Sequence, residues 1–554
     1  MLEKLIFLYG KVKGKEVEKR LKNIINEAKT KVVCEDRPFW DEKDIFLITY
    51  PDSFYEKETP VLQTLDKFLQ FHLRGGISGV HILPFYPFSS DRGFSVTNYY
   101  QVEKEFGTWG DVEKIGKRYR LMADLVLNHV SVKHEWFQKF LAGEEKYWDY
   151  FIHFDKVKIP QEALKKVFRP RSAPILTPFE TAKGERWAWT TFSVENSTDQ
   201  VDLNYQNSEI LIEVIKILLF LLQKGVRIIR LDSIPYIWKE LGTDCKNLPK
   251  THTIVSIFRN VLDLVCPGAL IVTQSSLPFG ENISYFGNKE KEAQLVYNFA
   301  LPPLLLEAFY SRNSKYLNQL AEKMSSPDKD CSFLNILAVH DGVGINGAKD
   351  FLNEAEINNL CLMAENKGGK LSYRSLPEGG QTVVEINITW WSALNNPLSS
   401  LGTVEPFEIQ LKRFISSYAI AFSMRGIPAV YYLSLIGAEN NYHLFQKTKI
   451  KRDLNRTNLD LRELEVKFWD KSSKEFKVLA AMKNLISKRK LFSAFHPGAK
   501  QVVLNLDKRV FSLLRGDGNE KVLALHNLSN EVVALKYNSR LFKLDPFSYI
   551  WTKM

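Results

Sequence analysis

The sequence predicts an α/β protein: a (β/α)8 TIM barrel with inserted subdomains and a C-terminal antiparallel β domain. Eight short apolar runs alternate with longer helical patterns, which is typical of a parallel sheet covered on both faces. Several of these runs end in a polar or ionisable residue, at the end of the strand where the active sites of such barrels lie. After about residue 491 the pattern changes to short alternating strands with Asp/Gly turns.

The eight predicted strands are rich in β-branched and aromatic residues, and each is bounded by helical patterns or turns. In chain order they are residues 44–50, 79–85, 121–129, 227–232, 269–274, 295–301, 333–341 and 427–434. Alternation of near-continuous apolar strands with helices favours a closed barrel over an open sheet when there are about eight of them.

The spacing of the strands also predicts a domain division. Residues 1–42 are expected to form an N-terminal helical segment, 43–490 the catalytic barrel and 491–554 the C-terminal β domain. The gaps after the third and seventh strands greatly exceed one helix, which predicts insertions at about 133–205 and 342–400.

Composition indicates a soluble globular protein, because 45% of the 554 residues are hydrophobic and 25% are charged. The formal net charge is +11, from 75 Lys and Arg against 64 Asp and Glu. The basic runs are interleaved with acidic or polar residues, which favours a solvated surface over a nucleic-acid patch. The charge is compatible with an anionic substrate such as phosphate.

The five cysteines are Cys34, Cys245, Cys266, Cys331 and Cys361. They are odd in number, widely spaced and without a CxxC pair, so we expect buried thiols in a reducing compartment. No metal-ligand spacing appears, and we expect no metal or other cofactor. The N-terminus lacks the features of a secretory signal, and no apolar run is long enough to span a membrane. The cytoplasm is therefore the expected location.

The fourth predicted strand ends in residues suited to glycosidic chemistry. Retaining cleavage of a glycosidic bond needs a carboxylate nucleophile and a second carboxyl group that first donates a proton. Asp232 ends the strand, and Arg230 points to the same face because strand side chains alternate. A cation at that position would keep Asp232 ionised and oriented. Taken alone, Arg-x-Asp also fits a structural ion pair.

Two further predicted strands end in candidate sugar ligands. His129 ends the third, and His340 with Asp341 ends the seventh. Each has an ordinary structural explanation, such as a hydrogen-bonded core histidine or a cap at a strand end. At the same end of one barrel they favour a common site, because histidines and carboxylates can hold sugar hydroxyls by hydrogen bonds.

With these residues in place, the chain resembles glycoside hydrolase family 13, the α-amylase superfamily, and within it the sucrose phosphorylase-like group. That group includes sucrose, sucrose-6-phosphate and glucosylglycerate phosphorylases. The similar stretches run from about residue 48 to 464 and include ISGVHILPFYPFSSDRGFSV, ADLVLNHVS, IRLDSIPYIWKELGT, ENISYFG, YNFALPPLLLEAF, LAVHDGVG, GIPAVYYLSLIGAEN and KRDLNR.

The resemblance implies roles for particular residues. Asp232 would be the nucleophile with Arg230 as its partner, and Asp341 would hold two hydroxyls of a glucose ring. His129 and His340 would hydrogen-bond the same sugar. The other implied substrate contacts are Asp91 paired with Arg452 at the pocket bottom, Phe94 on the sugar face, Tyr236 near phosphate or the acceptor, and Arg169 or Arg171 near phosphate.

Gln274 is the main departure from this group. The group ends its fifth strand in Glu within Thr-Glu-Thr-Asn-Val-Pro, whereas this chain reads TQSSLP at 273–278 and keeps ENISYFG at 281–287. Gln can hydrogen-bond but cannot give up a proton usefully at neutral pH, and a general acid is typically worth about 10²- to 10⁴-fold in rate. Engineering, a natural leaving group that needs no proton, or decay of the enzyme would each account for it.

Together with these residues, the resemblance implies a retaining α-glucosyl phosphorylase that transfers glucose from an α-glucoside to phosphate and gives α-glucose 1-phosphate, with an activity that Gln274 would impair. Two alternatives remain open. One is a catalytically attenuated glucoside-binding or regulatory homologue, and the other is a hydrolase or transglucosidase of the same superfamily. The expected partners are a small α-glucoside and inorganic phosphate, with no nucleic acid and no membrane.

Overall fold

Eight parallel strands close into a barrel in a computed structural model, which describes residues 1–34, 38–193, 198–287, 290–325, 328–376, 379–395, 405–518 and 520–554. Around the ring the strands are Phe46–Thr49, Gly79–Ile82, Arg120–Val126, Ile228–Asp232, Leu270–Thr273, Leu295–Tyr297, Ser332–Asn335 and Ile427–Tyr431. Every residue in them is buried. The predicted barrel is confirmed, with each observed strand inside or close to its predicted range.

Helices cover the outer face of this barrel. Between residues 43 and 490 and outside the two insertions, the described helices are Val61–His72, Trp109–Gly116, Ser208–Gln223, Pro249–Val265, Phe279–Ile283, Leu301–Ser311, Lys315–Lys323, Phe407–Ser423, Tyr442–Thr448, Leu461–Trp469 and Lys474–Arg489. The helix Ser208–Gln223 is apolar on nearly every side, which is typical of a helix buried on two faces. It shares a hydrophobic core with the barrel strands, and the N-terminal helix Lys11–Lys29 packs against it.

The first insertion contains a three-stranded antiparallel sheet and short helices. Its elements are His129–Ser131, Glu135–Leu141, Glu145–Trp148, His153–Phe154, Gln161–Leu164, Leu176–Phe179, Arg186–Trp189 and Gln200–Asp202. The strand His129–Ser131 pairs with Gln200–Asp202 and so closes the base of the insertion. Residues 194–197 of the predicted range lie outside the described residues.

The second insertion places an antiparallel sheet over the mouth of the barrel. Its elements are Val343–Gly344, Glu354–Asn366, Lys370–Ser375, Gln381–Asn387 and Trp390–Leu394, and its predicted range also includes residues 377–378 and 396–400, which lie outside the described residues. Ser375 Oγ donates to the carbonyl of Ser172, 3.2 Å away, and Arg171 Nη1 lies 3.7 Å from Glu385 Oε1. The two insertions therefore contact each other above the barrel.

The N-terminal segment forms two helices, Leu2–Tyr9 and Lys11–Lys29, that pack on the barrel helices. The expectation of free thiols throughout is wrong for one pair, because Cys34 and Cys266 form a disulfide with their Cα atoms 5.5 Å apart. These cysteines are 232 residues apart in the chain, and only the packing of the N-terminal helices on Pro249–Val265 brings them together. Cys245, Cys331 and Cys361 are buried free thiols, as expected.

The C-terminal region is antiparallel, as predicted. One sheet contains Gln501–Val503, Val510–Arg515, Val522–Asn527 and Tyr549–Lys553, and a hairpin contains Val533–Tyr537 and Arg540–Leu544. Phe511, Leu513 and Trp551 join the same hydrophobic core as the barrel. The domain boundaries at 42 and 490 stay a prediction. Within the described ranges, no helix has both the length and the apolar character that crossing a bilayer requires.

Arg489 connects three parts of the fold through buried hydrogen bonds. Its guanidinium donates to the carbonyls of Phe422 and Phe495, each 3.0 Å away, and to that of Glu42. Replacing it by Met would leave these buried acceptors without donors, at about 1–3 kcal/mol per group. We expect Arg489→Met to lower the free energy of unfolding by about 3 kcal/mol in urea titrations. Lys483→Met, an exposed change on the same helix, is the control and should stay within about 0.5 kcal/mol. An equal loss in both variants would contradict this role.

Candidate active site

One pocket at the C-terminal end of the barrel contains nine of the ten predicted site residues. It holds about 1000 Å³ of free space, part of it open to solvent, and those nine residues in its lining are Asp91, Phe94, His129, Asp232, Tyr236, Gln274, His340, Asp341 and Arg452. The tenth, Arg230, lies directly beneath Asp232. The structure thus brings all ten predicted positions together.

Arg230 joins two buried carboxylates at the floor of this pocket. It lies opposite Asp124 in the register of neighbouring strands, and its Nη1 contacts Asp124 Oδ1 and lies 2.8 Å from Asp232 Oδ1. His81 Nε2 lies 2.7 Å from the other oxygen of Asp124. Burial alone would raise the pKa of Asp124, but Arg230 and His81 hold it below its usual value. Burial raises the pKa of Asp232, and Arg230 opposes that rise.

Gln274 follows the strand Leu270–Thr273 directly, and its amide is held on both sides. Its Oε1 accepts from the backbone N–H of Ser233, 2.8 Å away, and its Nε2 donates to Ser276 Oγ at 3.2 Å. Ser233 has a φ of 52°, a left-handed conformation that costs of order 1 kcal/mol for a residue other than glycine. The side chain of Gln274 therefore lies beside the turn that follows Asp232.

Asp341 is held by cations on the opposite wall. Arg452 Nη1 lies 2.9 Å from its Oδ1, and Arg456 Nη2 lies 3.7 Å from the same oxygen. Burial would raise the pKa of Asp341, but Arg452 and Arg456 bring it below the usual value. Asp341 is therefore an ionised acceptor that faces the pocket.

The predicted pair of Asp91 with Arg452 is wrong in its partner. Asp91 Oδ1 lies 3.6 Å from Arg456 Nη1, and its Oδ2 accepts from Gln200 at 3.3 Å. Arg452 instead makes a bidentate contact with Glu385, with nitrogen–oxygen distances of 2.6 and 3.2 Å. Glu385 lies in the second insertion, whose fold could not be predicted from the KRDLNR segment that contains Arg452. The guanidinium of Arg452 therefore pairs with Glu385 rather than with Asp91.

Two histidines and Phe94 complete the inner wall. His129 Nε2 lies 3.1 Å from the carbonyl of Phe94, and the ring of Phe94 stacks on His340 with centroids 4.9 Å apart. Burial lowers the pKa of both histidines, so they are neutral at pH 7. Neither ends a barrel strand as predicted. His129 lies in the short strand that closes the first insertion, and His340 lies in the loop five residues after Asn335.

Aromatic and cationic side chains from both insertions form the outer wall. Tyr236 stacks on Phe168 with ring centroids 6.0 Å apart, and Phe192, Arg171 and Arg374 also line this part of the pocket. Arg169, the alternative to Arg171, is not among the lining residues.

Sequence reasoning missed Phe168, Phe192, Gln200, Arg374, Glu385 and Arg456, although all but Arg456 line the pocket. Arg456 ends the KRDLNR segment and could have been singled out with Arg452. Within the described parts of the chain, no group of three or more His, Cys, Asp or Glu side chains is placed to hold a metal ion.

Comparison with known proteins identifies the family. Residues 49–341 match the model of the alpha-amylase catalytic domain. The chain belongs to the alpha-amylase family. It is 40% identical to a glucosylglycerate phosphorylase of Spirochaeta thermophila, across 100% of this chain and 93% of the relative. A glucosylglycerate phosphorylase of Allomeiothermus silvanus is 42% identical, across 96% and 92% of the two chains.

The alpha-amylase assignment extends to the three-dimensional structure. The crystal structure of sucrose 6F-phosphate phosphorylase from Thermoanaerobacter thermosaccharolyticum superposes with a TM-score of 0.76 at 25% identity, and the match covers 91% of this chain and 98% of that one. The match therefore covers most of both chains.

Because the histidines of the pocket are buried and neutral, we expect the free energy of unfolding to depend on pH. Because burial keeps the pKa of His340 well below its usual value, the unfolded chain binds a proton below about pH 6.5 that the folded chain does not. The free energy of unfolding should therefore fall with pH below 6.5, by up to about 1.4 kcal/mol per pH unit from this one group. In denaturant titrations at pH 5.0, 6.0 and 7.0, His340→Gln should flatten this slope. His443→Gln, at an exposed position, should leave it unchanged, and an unchanged slope in both variants would contradict the burial argument.

Proposed function

We propose that this protein is a retaining α-glucosyl phosphorylase, with Asp232 as nucleophile and glucosylglycerate as the donor it fits best. The observation that supports this most directly is a buried aspartate fixed by Arg230 at the floor of a pocket. The walls of this pocket supply a second carboxylate, Asp341, and two neutral histidines that face the space for one hexose. Relatives in sequence, and one solved structure of similar fold, are phosphorylases by name.

In the first half-reaction Asp232 attacks the anomeric carbon, the glycosidic bond breaks, and a covalent glucosyl-enzyme forms. Arg230 holds one carboxylate oxygen of Asp232 and so fixes the orientation of the group. Asp341, held ionised by Arg452, accepts hydrogen bonds from sugar hydroxyls, and the neutral ring of His340 can add another. Developing positive charge on the sugar ring is favoured by the two carboxylates of the pocket.

Gln274 limits this step. Its amide can donate a hydrogen bond to the departing oxygen, but the aglycone must leave without a full proton from the protein. An alkoxide is a poor leaving group, so this half-reaction should be slow with sucrose or another ordinary glucoside. A leaving group that is already stable as an anion should not be affected.

The second half-reaction depends less on Gln274. Phosphate is an anion at neutral pH and attacks the glucosyl-enzyme without a general base. Arg171 lines the outer part of the pocket and offers a charge-assisted hydrogen bond to a phosphate oxygen. The product is α-glucose 1-phosphate, in which the energy of the glycosidic bond is retained. Because a sugar phosphate is useful where metabolism can consume it, we propose a role in carbohydrate metabolism in the cytoplasm.

The identity of the aglycone rests on similarity among relatives. Three glucosylglycerate phosphorylases are 36–42% identical to this chain, whereas a glucosylglycerol phosphorylase and several sucrose phosphorylases are 26–29% identical. A short, charged aglycone therefore fits this chain better than fructose does.

A second candidate follows from Gln274 alone. A chain that keeps the sugar contacts and lacks the proton donor could bind a glucoside and report its presence rather than turn it over. The two candidates differ in what a restored carboxyl group would do.

Gln274→Glu decides between them. We expect this change to raise the rate of phosphorolysis of α-glucosylglycerate by about 10²- to 10⁴-fold, because it supplies the missing general acid. Release of α-glucose 1-phosphate would be measured for both chains with glucosylglycerate, glucosylglycerol, sucrose and sucrose 6-phosphate, with and without phosphate. The double variant Asp232→Asn with Gln274→Glu is the control and should be inactive. No gain with any glucoside would favour the binding protein, and release of free glucose without phosphate would favour a hydrolase.

Labelling of Asp232 tests the nucleophile independently. α-Glucosyl fluoride carries a leaving group that needs little protonation, so the unaltered chain should form the glucosyl-enzyme with it. We expect intact-mass spectrometry of acid-quenched protein to show one added hexosyl group, and peptide mapping to locate it on Asp232. Asp232→Asn should show no added mass under the same conditions. Labelling at another residue, or none in the unaltered chain, would contradict the proposed role of Asp232.

A further inference from the structure

Glu385 lies on a strand of the second insertion that runs beside the segment after Asp341. This strand, Gln381–Asn387, pairs with Val343–Gly344, which begins two residues after Asp341. Asn387 Nδ2 donates to the carbonyl of Asp341 at 2.9 Å. The strand that carries Glu385 is therefore attached directly to the main chain of Asp341.

Arg452 uses two edges of its guanidinium for two carboxylates. Its Nε and Nη2 lie 3.2 and 2.6 Å from the two oxygens of Glu385, whereas its Nη1 lies 2.9 Å from Asp341 Oδ1. The three side chains are between 13% and 19% exposed, so solvent screens these contacts only in part. Because the guanidinium is planar, a hold along one edge fixes the direction of the other.

Arg452 has a choice of carboxylates. Burial would lower its pKa, but Asp341, Glu385 and Asp91 hold the pKa of Arg452 well above its usual value. Asp91 lines the pocket as well. A long arginine side chain has many rotamers, so a guanidinium released by Glu385 would be able to turn toward Asp91 or into the space for the sugar. The contact with Glu385 selects the orientation that meets Asp341.

We propose that Glu385 is a positioning residue of the glucosyl site, which holds Arg452 so that its guanidinium meets Asp341. This inference rests on the proposed phosphorylase function and adds to it a dependence on the second insertion: the carboxylate that binds the sugar is oriented from outside the barrel. Arg171, with Nη1 3.7 Å from Glu385 Oε1, offers a competing route, by which Glu385 would act on phosphate instead.

α-Glucosyl fluoride tests this role independently of the aglycone and of the missing general acid. With phosphate present, fluoride release would give kcat/KM for the full chain and for Glu385→Ala, Glu385→Gln, Arg452→Gln and Arg171→Gln, together with the KM for phosphate. Glu385→Ala would also be combined with Arg452→Gln and with Arg171→Gln, because a double-mutant cycle separates the two routes. Glu209→Ala is the control, since Glu209 makes a bidentate pair with Arg20 and does not line the pocket.

We expect Glu385→Ala to lower kcat/KM for α-glucosyl fluoride by about 10- to 100-fold, the usual effect of losing a hydrogen bond to a charged group. Glu385→Gln should lose less, because its amide oxygen can still accept one bond from Arg452. In the Arg452→Gln background, Glu385→Ala should change kcat/KM by less than about threefold, since the side chain that it positions is already absent. In the Arg171→Gln background it should keep its full effect. Glu209→Ala should change kcat/KM by less than about twofold.

Three outcomes would overturn the proposal. The losses from Glu385→Ala and Arg452→Gln could multiply in the double variant, which would make the two side chains independent. Glu385→Ala could have no larger effect than the control. Alternatively, only the KM for phosphate could rise, with no further rise in the Arg171→Gln background, which would assign Glu385 to phosphate.

Failure of the phosphorylase function gives a different result. If the unaltered chain releases no fluoride, calorimetric binding of D-glucose replaces the rate measurement, because it needs no reaction. Weaker binding in Glu385→Ala, with no further loss in the Arg452→Gln background, would still support the positioning role. Equal binding in the unaltered chain and Glu385→Ala would overturn it, and no binding to the unaltered chain would overturn both proposals. Urea titrations check that each variant folds, and Glu385→Gln takes the place of Glu385→Ala if the latter does not.

Discussion

The contact of Arg230 with Asp124 and Asp232 is the interaction on which the site depends. Burying a carboxylate without a counter-charge is expensive, and here two carboxylates are buried side by side. The guanidinium of Arg230 offsets the negative charge of both carboxylates, and His81 adds a hydrogen bond to Asp124. The strand register places Arg230 opposite Asp124, so the barrel that buries these charges also aligns them. The register of the barrel strands therefore fixes the position of Asp232.

The barrel alone builds only the inner half of the pocket. Its strands and loops supply Asp232, His340 and Asp341, which suit a hexose, whereas the two insertions supply the outer wall where an aglycone or phosphate would lie. Arg171 and Glu385 make contact between the insertions directly above the sugar site. Because long connections tolerate change better than strands do, a barrel of this kind can keep one glucosyl donor and vary the acceptor.

The barrel and the inner site could be predicted from local patterns, and the outer site could not. Apolar strands and a terminal Asp232 are visible in a few consecutive residues, which is why their positions agree with the structure. The partner of Arg452 could not be predicted from a local pattern, because Glu385 lies 67 residues away in the chain. It belongs to an insertion whose antiparallel sheet determines which side chain faces the pocket. The Cys34–Cys266 disulfide was missed for the same reason.

Gln274 differs from a glutamate in its chemistry more than in its geometry. Its carbonyl oxygen accepts from the N–H of Ser233, and a glutamate could accept the same bond with one of its oxygens. The other terminal atom of the Gln274 side chain is an amide nitrogen, which keeps its protons. A glutamate would have an oxygen there that could carry a transferable proton. A glutamine at this position is therefore compatible with the left-handed turn after Asp232. In the proposed mechanism it removes only the proton donated in the first half-reaction, so the site would keep its geometry and favour leaving groups that depart as stable anions.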